Sequence, residues 1–245
     1  MTTRNKLIVA LDVKTAPEAQ RLVDMLRGIV GMFKIGSQLF TATGPTFVRE
    51  IVNSGEQVFL DLKFHDIPNT VAAAGVEATR LGISIFNVHA AGGSEMMRRT
   101  AGAVSESADS EGLIRPSIIA VTVLTSADQE TLTEVGWTTS PESVVRNLSL
   151  LAETAGLDGV VASPREVGIV RSAVKKAGFI VVTPGVRPVG AALGDQSRVT
   201  TPREAIDAGA DYLVVGRPII EAPDPVSAAL QIVDEMETGS TNKIR

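Results

Sequence analysis

The chain has 245 residues, 44% of them hydrophobic and 21% charged, with a formal net charge of −5. That is roughly the length that a single (β/α)8 barrel takes up, and no apolar run approaches the ~18 residues of a membrane span. Net negative charge without a dense Lys/Arg block argues against nucleic acid or a membrane as main partner, and the absence of cysteine removes disulfides, thiolate nucleophiles and zinc–cysteine sites.

Residues 1–6 carry no secretory leader, so a cytoplasmic location is expected. They lead into a first apolar run at 7–12 that ends on Asp12, followed by a helical pattern at 17–26. The second run, 32–36, holds Lys34, and Pro45 opens a helix predicted over 45–54. The third, 57–63, ends on Asp61 and Lys63 ahead of a helical pattern at 71–81. The fourth, 85–89, ends on His89, and the fifth, 117–124, leads into Thr122 and Thr125. Helices predicted at 141–155, 164–176 and 202–208 alternate with runs at 159–162, 179–183 and 212–216. The last two runs feed Thr183-Pro184-Gly185-Val186-Arg187 and Gly216-Arg217-Pro218. Residues 237–245 read as a flexible tail, leaving 1–236 as one domain.

Each run is short enough for a buried parallel strand, and Gly55, Gly82, Gly156, Gly178 and Gly209 mark the helix-to-strand junctions. Strand–helix alternation implies a parallel sheet with helical crossovers. Eight such units without a break in composition predict an α/β fold of the single (β/α)8 TIM-barrel type, with a doubly wound open sheet as the alternative.

Ligands of such a barrel meet the carboxyl ends of its strands, which is where the polar residues gather. Side chains alternate along a strand, so 59, 61 and 63 share one face while Val58, Leu60 and Leu62 share the other. The aliphatic set should pack on the helices, pointing Asp61 and Lys63 into the barrel. The same parity places Asp12 with Ile8 and Ala10, and separates Lys34 from Phe33 and Ile35. Charges of alternating sign on three adjacent strands are expensive to bury for structure alone, so function explains the set better. Two readings stand for Asp66, a helix cap ahead of Pro68 or a member of this cluster. The two histidines, His65 and His89, are expected to be structural, and a histidine-rich metal site is not expected.

At the far side, loops seven and eight of a barrel frequently hold phosphate on backbone N–H groups. Gly185, Gly216, Arg187 and Arg217 suit that role; the alternative for Gly216-Arg217 is a plain tight turn. The connection 187–201 is long for a barrel loop and reads as a lid, with Gln196 the residue expected to reach inward beside Asp195 and Arg198.

The segment Asp61-Leu62-Lys63-Phe64-His65-Asp66-Ile67-Pro68-Asn69-Thr70 resembles the signature of the orotidine 5′-phosphate decarboxylase family. The likeness extends through Leu11-Asp12, Phe33-Lys34-Ile35-Gly36, Val121 to Ser126, Pro184-Gly185-Val186-Arg187-Pro188, Asp195-Gln196 with Arg198, and Val215-Gly216-Arg217-Pro218-Ile219. This resemblance implies cofactor-independent, metal-free decarboxylation of orotidine 5′-phosphate to uridine 5′-phosphate, the last step of de novo pyrimidine nucleotide synthesis. It implies a network of Lys34, Asp61, Lys63 and Asp66, with Lys63 donating the proton that replaces the carboxylate. Asp12 and Lys34 would contact the ribose, Thr125 and Ser126 the pyrimidine, and Arg187, Gln196, Gly216 and Arg217 the phosphate. Asp66 and Thr70 would serve the neighbouring subunit's site, making the enzyme a homodimer. Two alternatives are a magnesium-dependent decarboxylase of the 3-keto-gulonate-6-phosphate type and a non-catalytic sugar-phosphate-binding barrel. The Ile67-Pro68-Asn69-Thr70 continuation argues against the first, and retention of Lys63 and both aspartates against the second.

Overall fold

Runs of four to eight residues rich in Val, Ile, Leu and Phe cannot satisfy their backbone groups alone, so they pair side by side. The computed structural model, which describes residues 2–188 and 200–237, shows how. The strands are β1 (Leu7–Ala10), β2 (Met32–Gly36), β3 (Val58–Phe64), β4 (Ile85–His89), β5 (Ser117–Val121), β6 (Gly159–Val161), β7 (Ile180–Pro184) and β8 (Tyr212–Val215). All neighbours are parallel, and β1 pairs with β8 through Leu7↔Leu213 and Val9↔Val215. That last pairing closes the barrel and excludes the open sheet.

Among the described residues the helices are α1 (Ala16–Leu26), α2 (Ser37–Asn53), α3 (Pro68–Arg80), α4 (Gly93–Glu111), α5 (Gln129–Glu134) and α6 (Pro141–Thr154), then α7 (Val167–Ala173), α8 (Pro202–Asp207), α9 (Arg217–Ile220) and α10 (Pro225–Glu237). The pattern opened by Pro45 is only the second half of α2, which begins at Ser37 and kinks at Gly44, where φ is +67°. The helix predicted over 164–176 is shorter because carboxylates capture its ends. Glu166 accepts the Ser163 N–H at 2.8 Å, and Glu153 accepts the Lys175 N–H at 2.8 Å beyond the extended Val174. The five junction glycines all hold positive φ, as expected.

Strand parity divides the core in two. Ile8, Ala10, Met32, Phe59, Ile85, Ile119, Val182 and Val214 fill the barrel interior. Leu7, Val9, Phe33, Ile35, Val58, Leu60, Phe86 and Val88 belong to the larger layer between barrel and helices. Following the inner set toward the carboxyl ends leads from Ala10 to Asp12, from Met32 to Lys34 and from Phe59 to Asp61. The charges therefore stand on top of an apolar plug, at one mouth of the barrel.

Candidate active site

A cavity of about 320 Å³ opens at that mouth. Its lining includes Asp12, Lys34, Asp61 and Lys63 together with Thr125, Gly185, Arg187, Gly216 and Arg217. Phe59, Val161, Val182 and Val214 form an apolar floor. Four cationic side chains, Lys34, Lys63, Arg187 and Arg217, thus line a space that suits a small anionic ligand.

Asp12, Lys34, Asp61 and Lys63 form one continuous ion network. Lys34 Nζ lies 3.2 Å from Asp12 Oδ1 and 3.3 Å from Asp61 Oδ2, and Lys63 Nζ lies 2.7 Å from Asp61 Oδ1. Lys34 and Asp61 are 8% and 9% exposed, so their attraction is little screened by solvent. Burial pushes the Asp61 carboxyl up, but the Lys34 and Lys63 ammoniums and hydrogen bonds from Lys63 and Asn87 outweigh it. The net effect holds Asp61 below its ordinary value and ionised. Asp12 sits at the exposed end of the chain of charges, its side chain 54% accessible.

Lys63 reaches this position differently from the parity expectation. The β3–β4 register is regular at Phe59↔Ile85 and Leu60↔Phe86, then shifts before Phe64↔Val88. Within that irregularity Lys63 has φ of +52°, a left-handed conformation that non-glycine residues rarely adopt. The bulge, rather than simple pleating, aims its ammonium at Asp61. Asn87, buried on β4, was not among the sequence candidates, yet its Nδ2 donates to Asp61 Oδ1 at 2.6 Å and its Oδ1 accepts the Lys63 N–H at 2.8 Å. It shares the parity of Ile85 and His89, which was the available signal.

Other candidates stand apart from the network. The cap reading of Asp66 is overturned, because the N-cap of α3 is Ile67 and makes no side-chain cap bond. The Asp66 carboxylate instead accepts the N–H of Ile67 at 2.6 Å on an exposed loop. Asp66 forms no ion pair within the described residues of this chain, and Thr70 is exposed on the first turn of α3. Ser126 is exposed and does not line the cavity, unlike Thr125. Thr122 is structural, its hydroxyl donating to the Val161 carbonyl at 3.0 Å. His65 and His89 stack at 5.4 Å between centroids. Burial, then the neighbouring His65 ring and the Lys63 ammonium, push the His89 imidazole down against a pull from Asp61, which favours its neutral form.

Among the phosphate candidates, Gly185 has φ of +81°, and Gly216 brings its backbone beside Asp12, where a Cβ would meet Oδ2 at 3.4 Å. Arg187 is 9% exposed, and its N–H donates to the Thr200 carbonyl at 3.1 Å, which pins the two ends of the long loop together. Gln196, Asp195 and Arg198 lie outside the described residues. Among the described residues no grouping of His, Asp and Glu could hold a metal ion, and no helix is long and apolar enough to cross a membrane.

The sequence model of the "Orotidine 5'-phosphate decarboxylase / HUMPS family" matches residues 5–232. This chain belongs to that family. A protein of Syntrophotalea carbinolica named orotidine 5'-phosphate decarboxylase is 56% identical over 233 residues, 95% of each chain. Its namesake from Moorella thermoacetica is 54% identical over 238 residues, covering 97% of this chain and 94% of its own. The crystal structure of orotidine 5'-phosphate decarboxylase from Lactobacillus acidophilus superposes with a TM-score of 0.83 at 34% identity, covering 94% of this chain and 98% of that one. The family match thus spans every element that contributes to the cavity walls.

Proposed function

We infer that the chain decarboxylates orotidine 5′-phosphate to uridine 5′-phosphate, with Lys63 as the proton donor. The observation that carries this reading is the Lys34–Asp61–Lys63 network, set in a cavity that Arg187 and Arg217 also line, in a chain of this family. The C6–carboxylate bond breaks, CO2 leaves, and the electron pair remains on C6. A proton moves from Lys63 Nζ to that carbon, and solvent then reprotonates the amine. Nothing is oxidised or reduced, so the bookkeeping calls for no organic cofactor.

The residues present suit those demands. An ammonium fixed 2.7 Å from a carboxylate is oriented before substrate arrives, and preorganised charge costs no reorganisation as the carbanion develops. Contacts to phosphate, remote from the reacting carbon, supply binding energy that can be realised in the transition state. On this reading Gly185, Arg187, Gln196, Gly216 and Arg217 hold the phosphate, Asp12 and Lys34 the ribose, and Thr125 and Ser126 the pyrimidine.

The same reading makes the protein a homodimer with shared sites. Asp66 and Thr70 are exposed, and between them Ile67 is 66% exposed, an apolar side chain suited to burial against a second copy. Asp66 would then complete the alternating charges of the partner's network.

Mixing the protein with orotidine 5′-phosphate and EDTA and following the pyrimidine absorbance tests the activity. Conversion is expected to be unaffected by the chelator. No conversion by intact protein would refute the assignment, and conversion abolished by EDTA would favour the metal-dependent alternative.

A further inference from the structure

Asn87 makes hydrogen bonds to both Lys63 and Asp61, where the strand register is broken. Between Leu60 and Phe64 the β3–β4 register shifts, and within that stretch the Lys63 N–H is met by the Asn87 side chain. The amide oxygen accepts it at 2.8 Å, while the amide nitrogen donates at 2.6 Å to Asp61 Oδ1. That same Asp61 oxygen accepts the Lys63 ammonium at 2.7 Å. Asn87, Lys63 and Asp61 therefore form a closed triangle in which both ends of Lys63, backbone and ammonium, are fixed through one amide and one carboxylate.

The chemistry of the position is narrow. Asn87 is 1% exposed, so either amide group left without a partner would be costly. Only one orientation of the amide satisfies both neighbours, because Lys63 offers a hydrogen and Asp61 offers a lone pair. Leucine has similar bulk and offers neither bond, while aspartate keeps the acceptor and, when ionised, loses the donor. Lys63 at φ +52° is in a conformation that must be held by its surroundings.

We propose that Asn87 is a positioning residue for the decarboxylation, locking the Lys63 bulge and the Asp61 carboxylate so that the Lys63 ammonium is held in line with the reacting carbon. This rests on the reading of Lys63 as proton donor. Asn87 acts through Lys63 and Asp61 and carries no proton itself.

The test compares wild type with Asn87→Leu and Asn87→Asp, each checked for native melting and for binding of uridine 5′-phosphate. In Asn87→Leu, kcat is expected to fall roughly 10- to 100-fold, the loss corresponding to a hydrogen bond to a charged group, while KM changes less than about threefold. Exchange of the Lys63 amide proton, followed by NMR, should accelerate, a readout that needs no turnover. In Asn87→Asp the Lys63 amide should stay protected while kcat still falls, because the acceptor survives and the donor does not. Turnover by Asn87→Leu within about twofold of wild type, or unchanged exchange at Lys63, overturns the proposal. Should Asn87→Leu fail to fold, unchanged kcat in the isosteric Asn87→Asp overturns it equally. An inactive wild type would instead refute the decarboxylase reading, and the exchange experiment would still report on Asn87.

Discussion

Replacing Lys34 by Met removes one of the two ammoniums that hold Asp61 and keeps most of the aliphatic stem. The two side chains are 11% and 12% exposed, and deleting one partner of a buried pair typically costs about 3–5 kcal/mol. Two features reduce that figure. Lys63 remains 2.7 Å from the other Asp61 oxygen, and Met refills much of the vacated volume. The bond to Asp12 adds little, since the Asp12 side chain is 54% exposed. A loss of about 2–3 kcal/mol is expected, or roughly 4–12 °C in Tm for a chain of this size. The pH dependence separates charge from packing. In the native chain Asp61 has a depressed pKa, so its contribution is present above the unfolded value of about 3.9 and is lost as pH falls through the folded one. Without Lys34 burial meets less opposition, so the folded pKa is expected to rise and protonation to relieve the penalty. The native contribution is fully present across about pH 4.5–8, so only the raised pKa of the variant acts there, making the deficit largest at about pH 8 and smaller at about pH 4.5. Urea unfolding followed by circular dichroism, at fixed chain concentration, measures it across that range. A deficit equal at both ends would mean that methylene packing carries it, and would refute the electrostatic account.

Lys63→Ala is expected to reduce turnover at least ~100-fold, as loss of a general acid does, with a near-native melt because its side chain is 36% exposed. Mixed with Asp66→Asn chains, it should recover roughly a quarter of wild-type activity if subunits exchange statistically in a dimer, and no recovery would count against Asp66 acting across an interface. Thr183→Val should raise stability by about 1 kcal/mol in the same urea assay, because the fully buried hydroxyl lacks a hydrogen-bond partner among the described residues. A loss there would reveal a partner for that hydroxyl. Gly75→Ala should cost about 1–3 kcal/mol despite the better helix former, since its Cβ would meet Val104 Cγ2 at 3.0 Å and Phe86 Cζ at 3.1 Å where α3 packs on α4. Unchanged stability would show that the two helices part easily.

Local patterning carried most of the fold. Val58, Leu60 and Leu62 against Phe59 and Asp61 announce which face of β3 meets the helices, because side-chain direction in a strand depends only on parity. Helix ends were less legible wherever a distant carboxylate decides them. Glu153, from α6, terminates the segment after α7, and no window around Val174 contains that information. The first half of α2 was missed for a local reason, since Gly44-Pro45 looks like a boundary and proves to be a kink inside one element.

For the site, the sequence by itself placed Asp12, Lys34 and Asp61 at strand ends on the inner parity, and a closed parallel barrel brings such positions to one mouth; Asp66, expected with them, stands outside the network within this chain. Pairing was decided only in three dimensions. That Lys34 bridges Asp12 and Asp61, and that Lys63 turns back on Asp61 through a left-handed bulge, depends on the register between β2, β3 and β4. Asn87 shows the difference most plainly. An asparagine in an apolar strand is chemically mute until its neighbours are known; its value here comes from a donor and an acceptor placed within reach of two groups more than 20 residues away in the chain. Composition and parity can say which residues face inward, but hydrogen bonds form between atoms, and the distances between them are set by how the strands stagger.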